Sequence, residues 1–233
     1  MRLSSRRSSY SCLFLASLLL KEPALEYRHS EVSPFGLVKD GLHLIKSNGA
    51  LQRILILSLL STPFINYLLN FYPPYFVKAN VSGVFFGAAL AVASLLGVFT
   101  SKYAYCFEKS FGVKNGIFLA VIFPGLFYFL LAFVFHSIVS IILFILAYGS
   151  MHIQKPIFLD YLNRHIQSKN RATVISLING ISGFYVAIMG LLIGFLADKS
   201  LSYSFIFMGG LIAISAFFIR IDEEHVTAIQ ISD

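Results

Sequence analysis

The chain alternates between long apolar runs and short polar connections. Runs of about 20 apolar residues are long enough for an α-helix to cross the hydrocarbon core of a bilayer. Six such runs follow residue 50, at 51–77, 83–102, 115–135, 138–159, 172–197 and 203–219. Because the connections are short, consecutive helices must run antiparallel, and an even number of crossings returns the chain to its starting side. The pattern predicts an all-α fold, a polytopic membrane bundle of six transmembrane helices.

The run at 172–197 carries small residues at steps of four and three, which place them on one helical face. We call this face the small-residue seam. Its members are Ser176, Gly180, Gly183, Ala187, Gly190 and Gly194. Small side chains let the backbone of a second membrane helix approach closely. The seam is therefore predicted to serve helix packing rather than ligand binding.

The residues before the first long run divide into two parts. Residues 1–20 have three arginines ahead of an apolar run of about 11 residues. This fits either a partial membrane helix, whose upstream part is missing from the chain, or a signal-like segment. Residues 21–50 are polar, and four apolar side chains recur there at helical spacing: Phe35, Val38, Leu42 and Ile45. That spacing predicts a linker with an amphipathic helix on the membrane surface.

The distribution of charge predicts an orientation. The chain is 57% hydrophobic and 12% charged, about half the charged fraction of a soluble domain. If residues 21–53 are cytoplasmic, only Lys78 and Lys199 lie in outside loops, against twelve basic residues inside. The twelve are Lys21, Arg28, Lys39, Lys46, Arg53, Lys102, Lys109, Lys114, Arg164, Lys169, Arg171 and Arg220. The positive-inside rule then predicts a cell-membrane protein in which both ends of the 51–220 bundle and the tail at 221–233 are cytoplasmic.

This orientation also bears on residues 1–20. A cleaved signal peptide would deliver the following residues to the outside and invert the arrangement. The partial membrane helix is therefore preferred for residues 1–20, and the signal-like segment is kept as the alternative.

Several classes of function are not expected from the composition. The formal net charge of +7 could indicate a nucleic-acid partner, but the basic residues are spread between the apolar runs. The two cysteines, Cys12 and Cys106, fit no metal spacing or disulfide framework. The sequence has no recognisable catalytic motif, phosphate-binding loop or dinucleotide fingerprint. We expect no nucleic-acid partner, no enzymatic activity, and no metal or cofactor.

Two of the runs contain polar residues suited to a cavity. In the first run they recur at steps of four, from Ser58 and Thr62 through two asparagines, and in the fourth run three share a helical face. The candidates are Asn66, Asn70, Tyr148, His152 and Lys155. Polar groups at membrane depth are costly and usually face protein or water. Hydrogen bonding between helices is the alternative for the asparagines and His152, and Lys155 could instead extend toward the membrane surface.

Two segments can be aligned without gaps. SLLGVFTSK spans Ser94–Lys102 and LLIGFLADK spans Leu191–Lys199, so that Gly97 meets Gly194. The segments end the second and fifth runs, which places them at opposite membrane faces. An inverted repeat of three helices plus three requires this placement, and several secondary transporters are built in that way. The sequence therefore predicts a 3+3 inverted repeat.

Together with these features, three stretches resemble the C-terminal half of a major facilitator superfamily transporter. Asp160–Asn163 followed by Arg171–Leu177 is similar to the junction between helices ten and eleven of bacterial members. Glu108–Lys114 resembles the loop between helices eight and nine, and Gly190–Lys199 resembles the end of helix eleven. The loop residues that match are Glu108, Lys109, Gly112, Lys114 and Arg171.

The resemblance implies secondary active transport of a small solute by alternating access, as a permease or an efflux protein. It implies a central cavity lined by the runs at 51–77 and 138–159. The implied partners are the lipid bilayer, the solute, a proton or another coupling ion, and either an N-terminal six-helix half or a second copy of the chain. The competing interpretation is a non-transporting membrane protein, a remnant or interaction partner of a transporter. The nucleotide sequence upstream of Met1 would separate the two.

Overall fold

The computed structural model describes residues 34–166 and 171–219. These residues form nine α-helices and no strand, so the all-α prediction is confirmed. In chain order the helices are α1 (Pro34–Ser47), α2 (Gly49–Ser61), α3 (Phe64–Lys78), α4 (Val84–Lys102), α5 (Ala104–Phe133), α6 (Ser137–Met151), α7 (Gln154–His165), α8 (Arg171–Lys199) and α9 (Leu201–Phe218). The interpretations of residues 1–20 as a partial helix and of 221–233 as a tail lie outside the described residues.

Within the described ranges, six crossings are long and apolar enough to span a bilayer. They are the first (Gly49–Lys78, α2 and α3), second (Val84–Lys102, α4), third (Ala104–Phe133, α5), fourth (Ser137–His165, α6 and α7), fifth (Arg171–Lys199, α8) and sixth (Leu201–Phe218, α9). The prediction of six helices with the length and apolar composition of a membrane span is therefore confirmed, and these helices indicate a multi-pass membrane protein. We call the membrane face at which the first crossing begins the near face, and the opposite one the far face.

The third crossing contains a sharp bend. At Gly112 the backbone has φ 77° and ψ 160°, a conformation that side chains other than glycine rarely adopt. Residues 104–111 fold back there, so that a Cβ added at Gly116 would lie 3.3 Å from Glu108 Cα. The helix thus begins at Ala104, before the predicted run, but its part beyond the bend starts close to the predicted residue 115.

The first crossing is interrupted near its middle. Helix α2 ends at Ser61, and α3 begins at Phe64. Pro63 lies between them, and it has no N–H to continue the helical hydrogen-bond pattern. Pro73 and Pro74 lie inside α3, which nevertheless continues to Lys78. Of the three prolines in this crossing, only Pro63 therefore marks a break.

The fourth crossing is interrupted in the same way, between α6 and α7. Pro156 lies in the first turn of α7, where it cannot donate a hydrogen bond to the carbonyl of His152, four residues earlier. That carbonyl instead accepts a hydrogen bond of 3.0 Å from Ser101 Oγ on the second crossing. The side chain of Ser101 thereby satisfies a backbone group that the broken helix leaves open.

Close helix packing joins the third crossing to the sixth and the second to the fourth. A Cβ added at Gly209 would lie 2.9 Å from the carbonyl oxygen of Gly125. A Cβ added at Gly149 would lie 2.5 Å from Leu96 Cδ2, and Thr100 Oγ1 donates a hydrogen bond of 2.7 Å to the Gly149 carbonyl. At both interfaces the facing helix comes close enough to exclude a larger residue at the glycine, through its backbone at Gly209 and through the Leu96 side chain at Gly149.

The fifth crossing is attached more loosely than the others. Of its residues, only Val174, Ile178 and Ile193 are buried. The Tyr67 hydroxyl of α3 donates a hydrogen bond to the Val186 carbonyl, and this is its link to the first crossing at mid-depth. A large part of α8 therefore faces away from the described bundle.

Helix α1 packs on the near end of the fifth crossing. A Cβ added at Gly41 would lie 3.5 Å from Leu177 Cδ2 and 3.9 Å from Thr173 Cγ2, and Ile45 is buried. Leu42, from the predicted apolar face, is exposed. The side chains of Phe35 and Val38 lie outside the described part of the structure. The linker helix therefore forms, and its buried face is centred on Gly41 and Ile45.

Neighbouring glycines of α9 allow a matched test of this packing. Gly209→Ala should lower the free energy of unfolding by about 1–3 kcal/mol, because the methyl group must displace the backbone at Gly125. Gly210→Ala should leave it unchanged or raise it by up to about 1 kcal/mol, because the nearest atom is 3.8 Å away and alanine favours the helix. Thermal denaturation in detergent measures both; equal effects would contradict the close approach.

Candidate functional site

An open cleft of about 350 Å³ lies between the first crossing, α7 and α8. We call it the polar cleft, because hydroxyl, amide and ammonium groups from all three elements line it. The polar members are Ser58, Thr62, Asn66, Lys155, Asn179 and Ser182. Apolar side chains complete the lining: Pro63, Ile65, Phe158, Leu159, Leu162, Ile175, Ile178 and Val186.

The polar groups of the cleft lie at a similar depth in the three elements. Ser58 is nine residues from the near end of its crossing, Asn179 is eight, and Lys155 is ten. At 1.5 Å per helical residue these positions are about 14, 12 and 15 Å from the near end. The three crossings are 29 to 30 residues long. The cleft therefore opens about a third of the way along the crossings, on the near side of their middle.

Three of the four members of the predicted stripe on the first crossing line the cleft. Ser58 donates its hydroxyl to the Leu55 carbonyl at 2.9 Å, so its own hydrogen bond is satisfied within the helix. The Thr62 hydroxyl is buried and has no hydrogen-bond partner among the described residues. Asn66 is exposed toward the cleft, whereas Asn70 is exposed but not part of the lining.

The fourth crossing contributes Lys155 to the cleft. Tyr148 and His152, which the sequence spacing placed on the same helical face as Lys155, do not line it. The His152 ring packs against Gly97, where an added Cβ would lie 2.5 Å from its Cδ2, and against the Tyr148 ring at 4.8 Å. The His152 Nε2 atom is buried without a partner in the described chain. The break before α7 separates Lys155 from this contact, because a common face requires an uninterrupted helix.

The sequence did not single out Asn179 and Ser182. They belong to a face of α8 formed by Ile175, Asn179, Ser182 and Val186 at steps of four, three and four. The small-residue seam begins one residue later with the same steps, so the two faces are about 100° apart on the helix. The sequence could have indicated this part of the cleft, because Asn179 and Ser182 are two polar residues on the face of α8 next to the small-residue seam.

The small-residue seam contacts little of the described chain. Gly180, Gly183 and Gly194 have no atom within 4 Å of an added Cβ. Ser176 and Ala187 are exposed, and only Gly190 lies against another helix, 3.2 Å from the Tyr67 hydroxyl oxygen. If the seam packs against a helix, that helix is not among those described.

The loop residues singled out by the sequence lie at the near face. Glu108 is buried, and its carboxylate lies 3.5 Å from the guanidinium of Arg164, which also pairs with Asp160. Lys109 and Lys114 are exposed. Arg171 donates a hydrogen bond of 3.3 Å to the Asn163 carbonyl, closing the connection between α7 and α8.

Among the described residues that line the polar cleft, Lys155 is the only charged one, because Asp160 and Glu108 both face Arg164. Within the ranges the structure describes, no three metal-ligating side chains come together. Comparisons of the chain with family models, curated proteins and solved structures found no significant match.

The hydration of the cleft can be tested on two positions of one helix. In a background with Cys12 and Cys106 changed to serine, Asn179→Cys should react with a water-soluble maleimide at least about tenfold faster than Leu191→Cys. The thiolate is the reactive form and needs water, and Leu191 is 80% exposed on an apolar face. Similar rates in native membranes would mean that the cleft is filled by lipid or protein.

Proposed function

We propose that this chain is the six-helix half of a secondary transporter that moves a small solute by alternating access. The polar cleft is the observation that carries the proposal, because three separate elements place polar groups at one site within the crossings. Buried polar groups in membrane helices commonly mark solute or ion pathways. A packing crevice between helices would have no need of an exposed lysine.

The helix breaks support the same function. The first and fourth crossings are interrupted in their interior, and both breaks border the cleft through Thr62, Pro63 and Lys155. Secondary transporters commonly form their binding sites from discontinuous helices near the membrane midplane. A break also supplies a point at which two half-helices can change their relative angle.

The pattern of neighbours supports a 3+3 inverted repeat. Such a repeat exchanges the first crossing with the fourth, the second with the fifth, and the third with the sixth. The contact of the second with the fourth, at Thr100 and Gly149, then corresponds to that of the fifth with the first, at Val186 and Tyr67. The contact of the third with the sixth maps onto itself. The aligned glycines differ in surroundings, since Gly97 meets His152 and Gly194 meets open space.

A second six-helix unit completes the proposed transporter. The polar cleft is open, and among the described residues only Gly190 of the small-residue seam lies against another helix. An N-terminal half or a second copy of the chain would close the cleft and cover the seam. This architecture resembles the major facilitator superfamily, in which coupling to a proton or another ion is common.

The proposed orientation places the near face in the cytoplasm. Ser82 lies in the far connection, Lys109 lies at the near face in the part of α5 that precedes the Gly112 bend, and both are exposed. In the background without native cysteines, Ser82→Cys should be labelled by an impermeant maleimide in intact cells. Lys109→Cys should be labelled only after permeabilisation. The reverse pattern would invert the topology, and labelling of both sites from one side would contradict the crossings.

Alternating access makes a further prediction for Asn66. In native membranes, Asn66→Cys should be modified by an impermeant methanethiosulfonate from both faces, tested in intact cells and in inverted vesicles. Ile56→Cys, an exposed apolar position of the same crossing, should react from neither face. Modification of Asn66→Cys from one face only would indicate a fixed crevice. The absence of modification would favour a non-transporting remnant or interaction partner.

A further inference from the structure

The polar cleft is positively charged. Among the described residues that line the cleft, Lys155 alone is ionisable, and every other polar member is a neutral hydroxyl or amide. Lys155 forms no ion pair with any of the described residues. A cation within a membrane crossing is energetically costly where no carboxylate balances it.

The acidic groups closest in sequence are turned elsewhere. Asp160 follows Lys155 by five residues, which places it about 140° around the helix and about 7.5 Å nearer the membrane surface. It pairs with Arg164, as does Glu108 from the third crossing. His152, which packs on the second crossing, brings no negative charge. Among the described residues, no acidic side chain balances the charge of Lys155.

The remaining lining suits an anion with an apolar body. The Thr62 hydroxyl lacks a partner among the described residues, and the amides of Asn66 and Asn179 offer further donors. Ile178 and Val186 supply apolar walls beside these groups. A carboxylate can accept from the ammonium, hydroxyl and amide groups together. A cation would be repelled, and a neutral solute would leave Lys155 unbalanced.

We propose that the polar cleft binds a small organic anion, with a carboxylate held by Lys155 and an apolar body against the aliphatic walls. This assignment rests on the proposed transport function and adds the chemical class of the solute. A carboxylate from a second six-helix unit is the rival way to balance Lys155. The two ways of balancing Lys155 predict different electrostatic fields in the cleft. If a solute anion balances Lys155, an entering molecule meets a positive charge. If a carboxylate of a second unit balances it, that positive charge is already neutralised.

The sign of that field can be measured without knowing the solute. Asn179→Cys, in the background without native cysteines, is modified by an anionic sulfonatoethyl and by a cationic trimethylammonioethyl methanethiosulfonate. The ratio of the two rates is normalised to that at Ser82→Cys in the far connection. We expect the normalised ratio to favour the anionic reagent by at least about tenfold, from the charge of Lys155 at short range. Adding Lys155→Arg should keep the preference, and adding Lys155→Gln should abolish it.

Each outcome decides between the alternatives. A normalised ratio near one, a preference for the cation, or a preference that survives Lys155→Gln overturns the anion assignment and leaves the transport proposal standing. Failure of both reagents to react overturns the transport proposal as well.

Benzoate should slow the modification at least about threefold, by occupying the site, whereas its neutral isostere benzamide and cationic isostere benzamidine should not. No protection by benzoate, or equal protection by benzamide, also counts against the assignment.

Discussion

The hydrogen bond from Ser101 to the carbonyl of His152 is the contact on which the arrangement of the site depends. A backbone carbonyl without a partner is costly within a membrane, so a helix broken by Pro156 persists only where another group supplies the missing donor. The second crossing supplies it, and Gly97 leaves room for the His152 ring beside it. With the break stabilised in this way, α7 begins at Gln154 and places Lys155 in the lining of the cleft.

The bundle combines tight and loose packing. Glycines bring the backbones of the third and sixth crossings into direct contact, and glycines of the second and fourth crossings meet side chains of the facing helix. The fifth crossing has three buried residues and one mid-depth hydrogen bond to the first crossing. Tight pairs define a rigid frame, and a loosely held helix at the edge of a polar cleft is suited to movement relative to that frame.

The sequence predicted the crossings because about 20 consecutive apolar residues leave few alternatives to a spanning helix. It also predicted that Asn66 and Lys155 face a cavity, since polar groups at membrane depth need protein or water. The spacing argument failed to separate Lys155 from Tyr148 and His152, because it assumes a continuous helix and Pro156 breaks this one. On α8 the seam and the cleft face have the same periodicity, and only tertiary packing decides which of them the bundle meets.

The open face of the fifth crossing has a consequence for the life of the chain in a cell. Asn179 and the neighbouring glycines would lie against lipid in a copy that has found no partner. Polar groups and bare backbone in a membrane helix weaken its hold in the bilayer and mark it as unassembled. The amount of this chain that persists would then follow the supply of whatever covers that face, and assembly would act as the checkpoint for its survival.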